Sequence, residues 1–381
     1  MVKHHFNTET VHLSEKRLGS FTSKVNPIYQ TSAFAFGDLE ELEGYYQGNG
    51  AYLYTRVGNP NTDDLALAVA NLEGAPTGVA TSSGLSAILA GILAVTKTGD
   101  HIVATNDTYG GTYHMLENEL KDFGIEVSFV SFENQEEIRE SIKANTKLLY
   151  SESITNPLLR VEDLEELTKI AKEYNIITMI DNTFATPFLC QPYLKGIDLV
   201  VHSATKYIGG HSDVTAGVLV GQQDLIAKAR AKIVNLGLNL SPFEAWLGTR
   251  GIKTLSVRME RHVNNAQFLA DQLKSHPGVC KVYYPDFVSE KGNGPIVTID
   301  VIGKCDVQKF FKSLSWIKIV PTLAGVETTV SYPAATSHRA LSKELRDELG
   351  ITEGVVRISV GIEDPEDILA AFLNALDQSI L

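Results

Sequence analysis

The chain has few of the residues that mark a metal framework, a disulfide scaffold or a membrane span. Among 381 residues only 3 are cysteines, Cys190, Cys280 and Cys305. Their odd number and wide spacing give neither a disulfide framework nor a zinc pattern. Positive charge is also short, with 33 Lys and Arg against 46 Asp and Glu and a net charge of -13. Such a surface repels phosphate backbones, so no nucleic-acid partner is expected. Long apolar runs are missing too. The longest, Leu85 to Val95, is interrupted by Ser86 and Gly91 and is too short to span a bilayer. It reads as a buried helix, and no membrane partner is expected. The opening residues Met1-Val2-Lys3-His4-His5-Phe6 lack the apolar stretch of a signal peptide, which points to a cytoplasmic protein.

What is present is a patterned globular chain. Hydrophobic residues make up 44%, enough for a substantial core, and the length fits two domains. Residues 1–60 show weak periodicity and loop-like stretches such as Gln47-Gly48-Asn49-Gly50. They read as an arm lying on another surface, such as a neighbouring subunit. Residues 61–250 alternate β-branched runs with helical stretches. The runs are His101–Thr105, Glu126–Val130, Lys147–Ser151, Ile176–Ile180, Leu199–Val201 and Gly217–Val220. The helical stretches are Gly111–Phe123, Glu133–Ala144 and Val161–Tyr174. The last places Val161, Leu164, Leu167, Ile170 and Ala171 on one face. Such alternation predicts a largely parallel sheet in an α/β domain. Residues 251–381 open on a long helical pattern over 249–274 and continue as a smaller α+β domain.

Four constellations carry chemical meaning. Lys206 closes the stretch Val201-His202-Ser203-Ala204-Thr205-Lys206, just past the carboxyl end of a strand, the edge where open α/β sheets bind ligands. An isolated lysine is usually a surface residue. Here Ser203 and Thr205 offer hydroxyls suited to a phosphate, and Gly209 and Gly210 allow close approach. A lysine whose amine is neutral forms imines with carbonyl cofactors. Asp181 ends the run Ile176–Ile180, 25 residues earlier and one crossover unit away. A strand-end aspartate can be a simple cap. It is also what a pyridine-type cofactor needs at its ring nitrogen. Thr81-Ser82-Ser83-Gly84-Leu85 introduces the apolar helix and reads either as a Ser cap or as a helix N-terminus that receives an anion. Tyr109, before Gly110-Gly111, sits on a loop where its ring is free to stack or to be buried. His202 and His211 do not have the spacing of one helical face, so no metal site is expected.

With these residues in place, the chain resembles the cystathionine-type family of pyridoxal-phosphate enzymes of cysteine and methionine metabolism, of fold type I. The similarity covers nearly the whole sequence. It runs through Asn26–Ser32, Tyr54–Pro60, Ser82-Ser83-Gly84, Tyr109–Thr112, Glu152 with Thr155-Asn156-Pro157, Asp181-Asn182-Thr183, His202–Lys206, Gly210–Asp213, Arg250–Thr254 and Val356–Gly361. The resemblance implies a mostly parallel seven-stranded sheet in the large domain and pyridoxal 5'-phosphate as cofactor, held on Lys206. It implies that Tyr54 and Arg56 reach the cofactor phosphate of a neighbouring subunit. It further implies phosphate contacts from Ser83, Gly84, Leu85, Ser203 and Thr205, stacking by Tyr109, and a ring-nitrogen contact from Asp181. Asn156 is similar to the residue near the cofactor's phenolic oxygen, and Arg357 to the one that binds the substrate α-carboxylate. Read without the resemblance, Arg357 is a strand-edge surface residue. Lys206 and Tyr109 are the expected proton-transfer groups. Tyr54, Asn156, Thr322, Arg357 and His114 are the expected substrate neighbours. A tetramer built from dimers with shared sites follows from the same likeness.

The sequence departs from the family pattern around the substrate. His114 and Pro321 stand where many members resemble one another in having arginine and glutamate. Thr322 replaces a serine, and Gly111 a cysteine often found in methionine γ-lyases. The connection from Tyr284-Pro285 to Gly294-Pro295 is short. These departures favour a small or apolar γ-substituent, as in methionine or homocysteine, over the long charged arm of cystathionine. The leading expectation is a carbon–sulfur lyase acting by α,γ- or α,β-elimination. The alternative is a γ-replacement synthase, of the cystathionine γ-synthase or O-acetylhomoserine sulfhydrylase type. A non-catalytic binding protein is the remaining class.

Overall fold

Short β-branched runs build the larger sheet, and their ends set out the site. The computed structural model describes residues 4–12, 23–50, 52–339 and 341–381. The strands are β1 (Thr77–Thr81), β2 (His101–Thr105), β3 (Glu126–Val130), β4 (Thr146–Glu152), β5 (Ile177–Asp181), β6 (Leu199–Ser203) and β7 (Gly217–Gly221). They form a seven-stranded sheet in the order β1-β7-β6-β5-β4-β2-β3. The run from β3 to β6 is parallel, and β7 lies antiparallel to both β6 and β1. Every residue of β2 and β7 is buried, as a sheet covered on both faces requires. One face packs against Leu65, Val69 and Leu72 of helix Pro60–Glu73 and against Leu164, Leu167 and Ile170 of helix Leu164–Tyr174. The other packs against Ile88 and Ile92 of helix Gly84–Val95 and against Leu225, Ala229 and Ile233 of helix Gln223–Leu236.

Helix Leu255–Leu273 joins the two halves. Its first part, with Leu255, Met259 and Val263, enters the core of the larger sheet. Its second part, with Ala266, Leu269 and Leu273, enters a separate core around a five-stranded sheet. That sheet consists of β8 (Lys281–Tyr283), β9 (Ile296–Asp300), β10 (Lys318–Ile319), β11 (Thr329–Ser331) and β12 (Val355–Ser359), ordered β10-β11-β12-β9-β8. Phe372 and Leu376 of helix Pro365–Asp377 fill the same core. No described helix is long and apolar enough to cross a membrane.

The structure refines several local expectations. The arm is not wholly irregular: Phe6–Val11 and Leu39–Tyr46 are helical, the latter capped by Asp38, which accepts from the Glu41 amide. Residues 1–3 and 13–22 of the arm lie outside the described residues. Val161 does not join the helix that follows it. Asp163 caps that helix by accepting from the Glu166 amide, so Val161 stays outside and exposed. The stretch expected as one helix over 111–123 contains a π turn at Met115–Glu119. Strand β1 escapes a sequence reading because Thr-Gly-Val-Ala-Thr is short and weakly patterned.

Candidate active site

The parallel register brings two acids side by side at the carboxyl edge of the sheet, with Glu152 opposite Asp181 and Asp181 opposite Val201. Past β6 the chain turns sharply. The Lys206 amide donates to the Ser203 carbonyl at 3.0 Å and the Gly210 amide to the Lys206 carbonyl at 2.7 Å. Gly210 has φ +71°, and a Cβ there would meet the Arg258 guanidinium at 2.1 Å, so only glycine fits. Arg258 in turn donates to the carbonyls of Tyr207 at 2.7 Å and Gly251 at 2.8 Å, which staples the turn to helix Pro242–Ile252. The result aims the Lys206 side chain into a cavity of about 210 Å³.

Electrostatics set the character of that cavity. Lys206 Nζ donates to Thr322 Oγ1 at 2.6 Å. Burial, and then the charge of Arg357, push the amine down to about 8, against the pull of Asp181. Asp181 accepts from the Thr183 amide at 2.9 Å, yet burial raises its pKa. Glu152 is pushed up to about 8, first by burial and then by Asp181. One oxygen of Glu152 accepts from the Thr108 hydroxyl and the Tyr109 amide, both at 2.6 Å. Arg357, in the middle of β12 between β11 and β9, is only 3% exposed. It donates to Asn156 Oδ1 at 2.9 Å and to the Thr322 carbonyl at 3.2 Å, and its Nε has no partner among the described residues. Burial lowers this guanidinium to about 10.

A third feature is a cradle for an anion. Ser83 caps helix Gly84–Val95 by accepting from the Ser86 amide at 3.1 Å, and the first-turn residues Gly84 and Leu85, at the positive end of the helix, line the cavity. Gly84 lets this turn approach β6, since a Cβ there would lie 2.8 Å from that of Ser203. Ser83, Gly84, Leu85, Ser203 and Thr205 all line the same cavity as Lys206 and Asp181. An imine-forming amine, a carboxylate for a ring nitrogen and a phosphate cradle therefore share one space. These residues fit pyridoxal phosphate.

Of the residues singled out in the sequence, Tyr109, Asn156, Thr322 and Arg357 also line this cavity. Three others do not. Tyr54 is exposed, and Arg56 donates to the Val234 carbonyl at 2.8 Å, with its guanidinium 5.7 Å from the Tyr54 ring centre. His114 points to solvent beside Glu119, at 3.9 Å, because its place in helix Gly110–His114 turns it outward. Pro321 lines the cavity, whereas no residue of the short connection 285–294 does. There, Lys291 packs 4.5 Å from the Phe6 ring centre and 4.7 Å from that of Phe188. Sequence reasoning gave no role to Glu152, although a strand-end acid in register with Asp181 carried the same signal. The apolar wall of Ile88, Ile154, Phe184 and Leu323 had no sequence signal, because its members come from separate elements.

Comparison with known proteins agrees with this geometry. The model of the family described as Cys/Met metabolism PLP-dependent enzyme matches residues 7–377. The cystathionine beta-lyase of Lactococcus lactis subsp. cremoris is 40% identical over 363 residues, covering 92% of this chain and 93% of its own. The L-methionine gamma-lyase of Porphyromonas gingivalis is 39% identical over 376 residues, covering 95% and 94%. A solved structure from Campylobacter jejuni, which carries N'-pyridoxyl-lysine-5'-monophosphate, superposes with a TM-score of 0.92 at 28% identity, covering 98% of this chain and 100% of that one. The chain is a pyridoxal-phosphate-dependent enzyme and belongs to the Cys/Met metabolism family.

Proposed function

We propose that the enzyme is a carbon–sulfur lyase that removes a thiol from a sulfur amino acid with a short γ-substituent, such as methionine or homocysteine. The observation that carries this reading is the wall of the cavity. Among its lining residues Arg357 is the single arginine, and Pro321 and Phe184 stand beside Ile88, Ile154 and Leu323. One guanidinium serves one carboxylate. A second carboxylate, such as the distal one of cystathionine, would find no second arginine among the lining residues, and Pro321 offers it no donor.

Lys206 would hold the cofactor, Ser83, Gly84, Leu85, Ser203 and Thr205 its phosphate, and Asp181 its ring nitrogen, with Tyr109 on the ring and Asn156 near the phenolic oxygen. When bound, pyridoxal phosphate supplies an electron sink for charge developing at the substrate α-carbon. The protein's own groups do the rest. Arg357 binds the α-carboxylate and fixes the amino acid. Lys206, with an amine near 8, takes the α-proton at neutral pH without a large penalty. Thr322 Oγ1, 2.6 Å from Nζ, steers the amine toward that proton. Lys206 and Tyr109 serve the second proton transfer, from the β-carbon to the departing thiol. Water then converts the released enamine to a 2-oxo acid and ammonia.

We further propose that the functional unit is at least a dimer, and commonly a tetramer of two such dimers. Tyr54 and Arg56 lie away from their own cavity on an arm, which supports a role at the site of a neighbouring copy. The test of the lyase reading is a panel of L-methionine, L-homocysteine, L-cystathionine, L-cysteine and O-acetylhomoserine, assayed for 2-oxo acid with and without added thiol. The expected product is 2-oxobutanoate from methionine or homocysteine. Strong preference for cystathionine, or turnover only when a thiol is added, would overturn it.

A further inference from the structure

A buried polar cluster lies on the opposite face of the sheet edge, and the chemistry above gives it no task. Glu73, the last residue of helix Pro60–Glu73, is fully buried, as are His202 and Asn182. Glu73 Oε1 accepts from His202 Nε2 at 2.8 Å and from Asn182 Nδ2 at 2.7 Å. Asn182 Nδ2 also donates to the Cys190 carbonyl at 2.9 Å. Glu73 Oε2, Asn182 Oδ1 and His202 Nδ1 have no hydrogen-bond partner among the described residues. Burying three such groups costs free energy, so the cluster is a poor device for stability alone.

Its position suggests the task. Asn182 directly follows Asp181, and His202 directly precedes Ser203. Side chains alternate along a strand, so two residues that face away from the cavity sit next to two that face into it. One carboxylate oxygen thus grips the ends of both β5 and β6. Two further bonds complete the frame: the Asn182 amide donates to the Val201 carbonyl at 2.8 Å, and the Ser203 amide to Thr183 Oγ1 at 2.8 Å.

We propose that Glu73, through His202 and Asn182, is a positioning residue for the cofactor: it fixes Asp181 and Ser203 relative to each other, and so the contact to the ring nitrogen relative to the contact to the phosphate. The hydrogen bonds from Thr183, whose hydroxyl also accepts from the Ser203 amide, oppose the effect of burial on Asp181, which supports this geometry. The titratable groups facing the frame are Cys190 beside Glu73, and Tyr150, Glu152 and Lys206 beside Asp181. The inference rests on Asp181 being the group that meets the ring nitrogen.

The test uses Glu73→Gln, which keeps the shape and removes the charge. Three quantities are measured: thermal unfolding of the apoenzyme, the Kd for pyridoxal phosphate, and the pH midpoint of the bound cofactor's absorption. The expected result is a cooperative apoenzyme whose Kd rises about tenfold and whose midpoint moves by about one pH unit, a tenfold change in proton affinity. His202→Gln keeps a donor toward Glu73 but not the rigid ring, and should shift the midpoint in the same direction. It decides the matter if Glu73→Gln does not fold. A folded variant with wild-type Kd and midpoint would overturn the inference. Asp181→Asn serves as control. A shift in Asp181→Asn without one in Glu73→Gln refutes the positioning role alone, whereas no shift in Asp181→Asn refutes the assignment of Asp181 itself.

Discussion

Replacing Arg357 by methionine should separate substrate binding from folding. The guanidinium is buried and, among the described residues, donates only to the neutral oxygens of Asn156 and Thr322. No carboxylate pairs with it there. In the protein without substrate, its charge is therefore carried at a cost, which methionine of similar length removes. Asn156 faces the cavity, so water can take the place of the lost donor. Thermal stability of the apoenzyme should be unchanged or raised. Binding should behave in the opposite way. Two charge-assisted hydrogen bonds to a substrate carboxylate are worth about 1.5–3 kcal/mol each, so their loss should lower kcat/KM roughly 10²- to 10⁴-fold. The assay is steady-state release of methanethiol from L-methionine and from its carboxamide, alongside thermal unfolding. The wild type should strongly prefer the free carboxylate, and the variant should show little preference. A loss of less than about tenfold, or a variant that still discriminates against the amide, would refute the role of Arg357.

Two further expectations follow from the site. In the apoenzyme Lys206 loses its proton near 8 when folded and near 10.5 when unfolded. Below pH 8 both states hold the proton and the cost of burying the charge is fully present. Between 8 and 10.5 only the unfolded chain holds it, so stability should rise with pH, by about 3 kcal/mol for this group. Denaturant unfolding of apoenzyme should show this rise relative to Lys206→Met, and parallel curves for the two would contradict it. Mixing Lys206→Ala with Arg56→Ala, each inactive alone, should restore partial activity if the arm serves a neighbouring site. A mixture as inactive as its parts would place Arg56 in its own protomer's chemistry.

Much of this site was legible because its residues stand at strand ends. The runs before Asp181 and Lys206 are apolar and β-branched, and the loop positions after them follow from the parallel topology. Glu73 could not be read this way. Its partners Asn182 and His202 are 109 and 129 residues distant, and a helix-ending glutamate looks like any solvated one. Arg357 looked like a surface residue by itself because a short strand does not reveal whether it is central. Its pairing with both β9 and β11 is what buries it. His114 illustrates the converse: its place in the aligned motif suggested substrate contact, but the helix beginning at Gly110 carries it outward.

The central claim is that Lys206 holds the cofactor at the edge of the larger sheet. Borohydride treatment of the holoenzyme followed by peptide mass mapping tests it most directly. The account predicts one pyridoxyl-phosphate adduct, on the peptide containing Lys206, and none in Lys206→Ala, which should still fold. An adduct on another lysine, or undiminished turnover by Lys206→Ala, would contradict it.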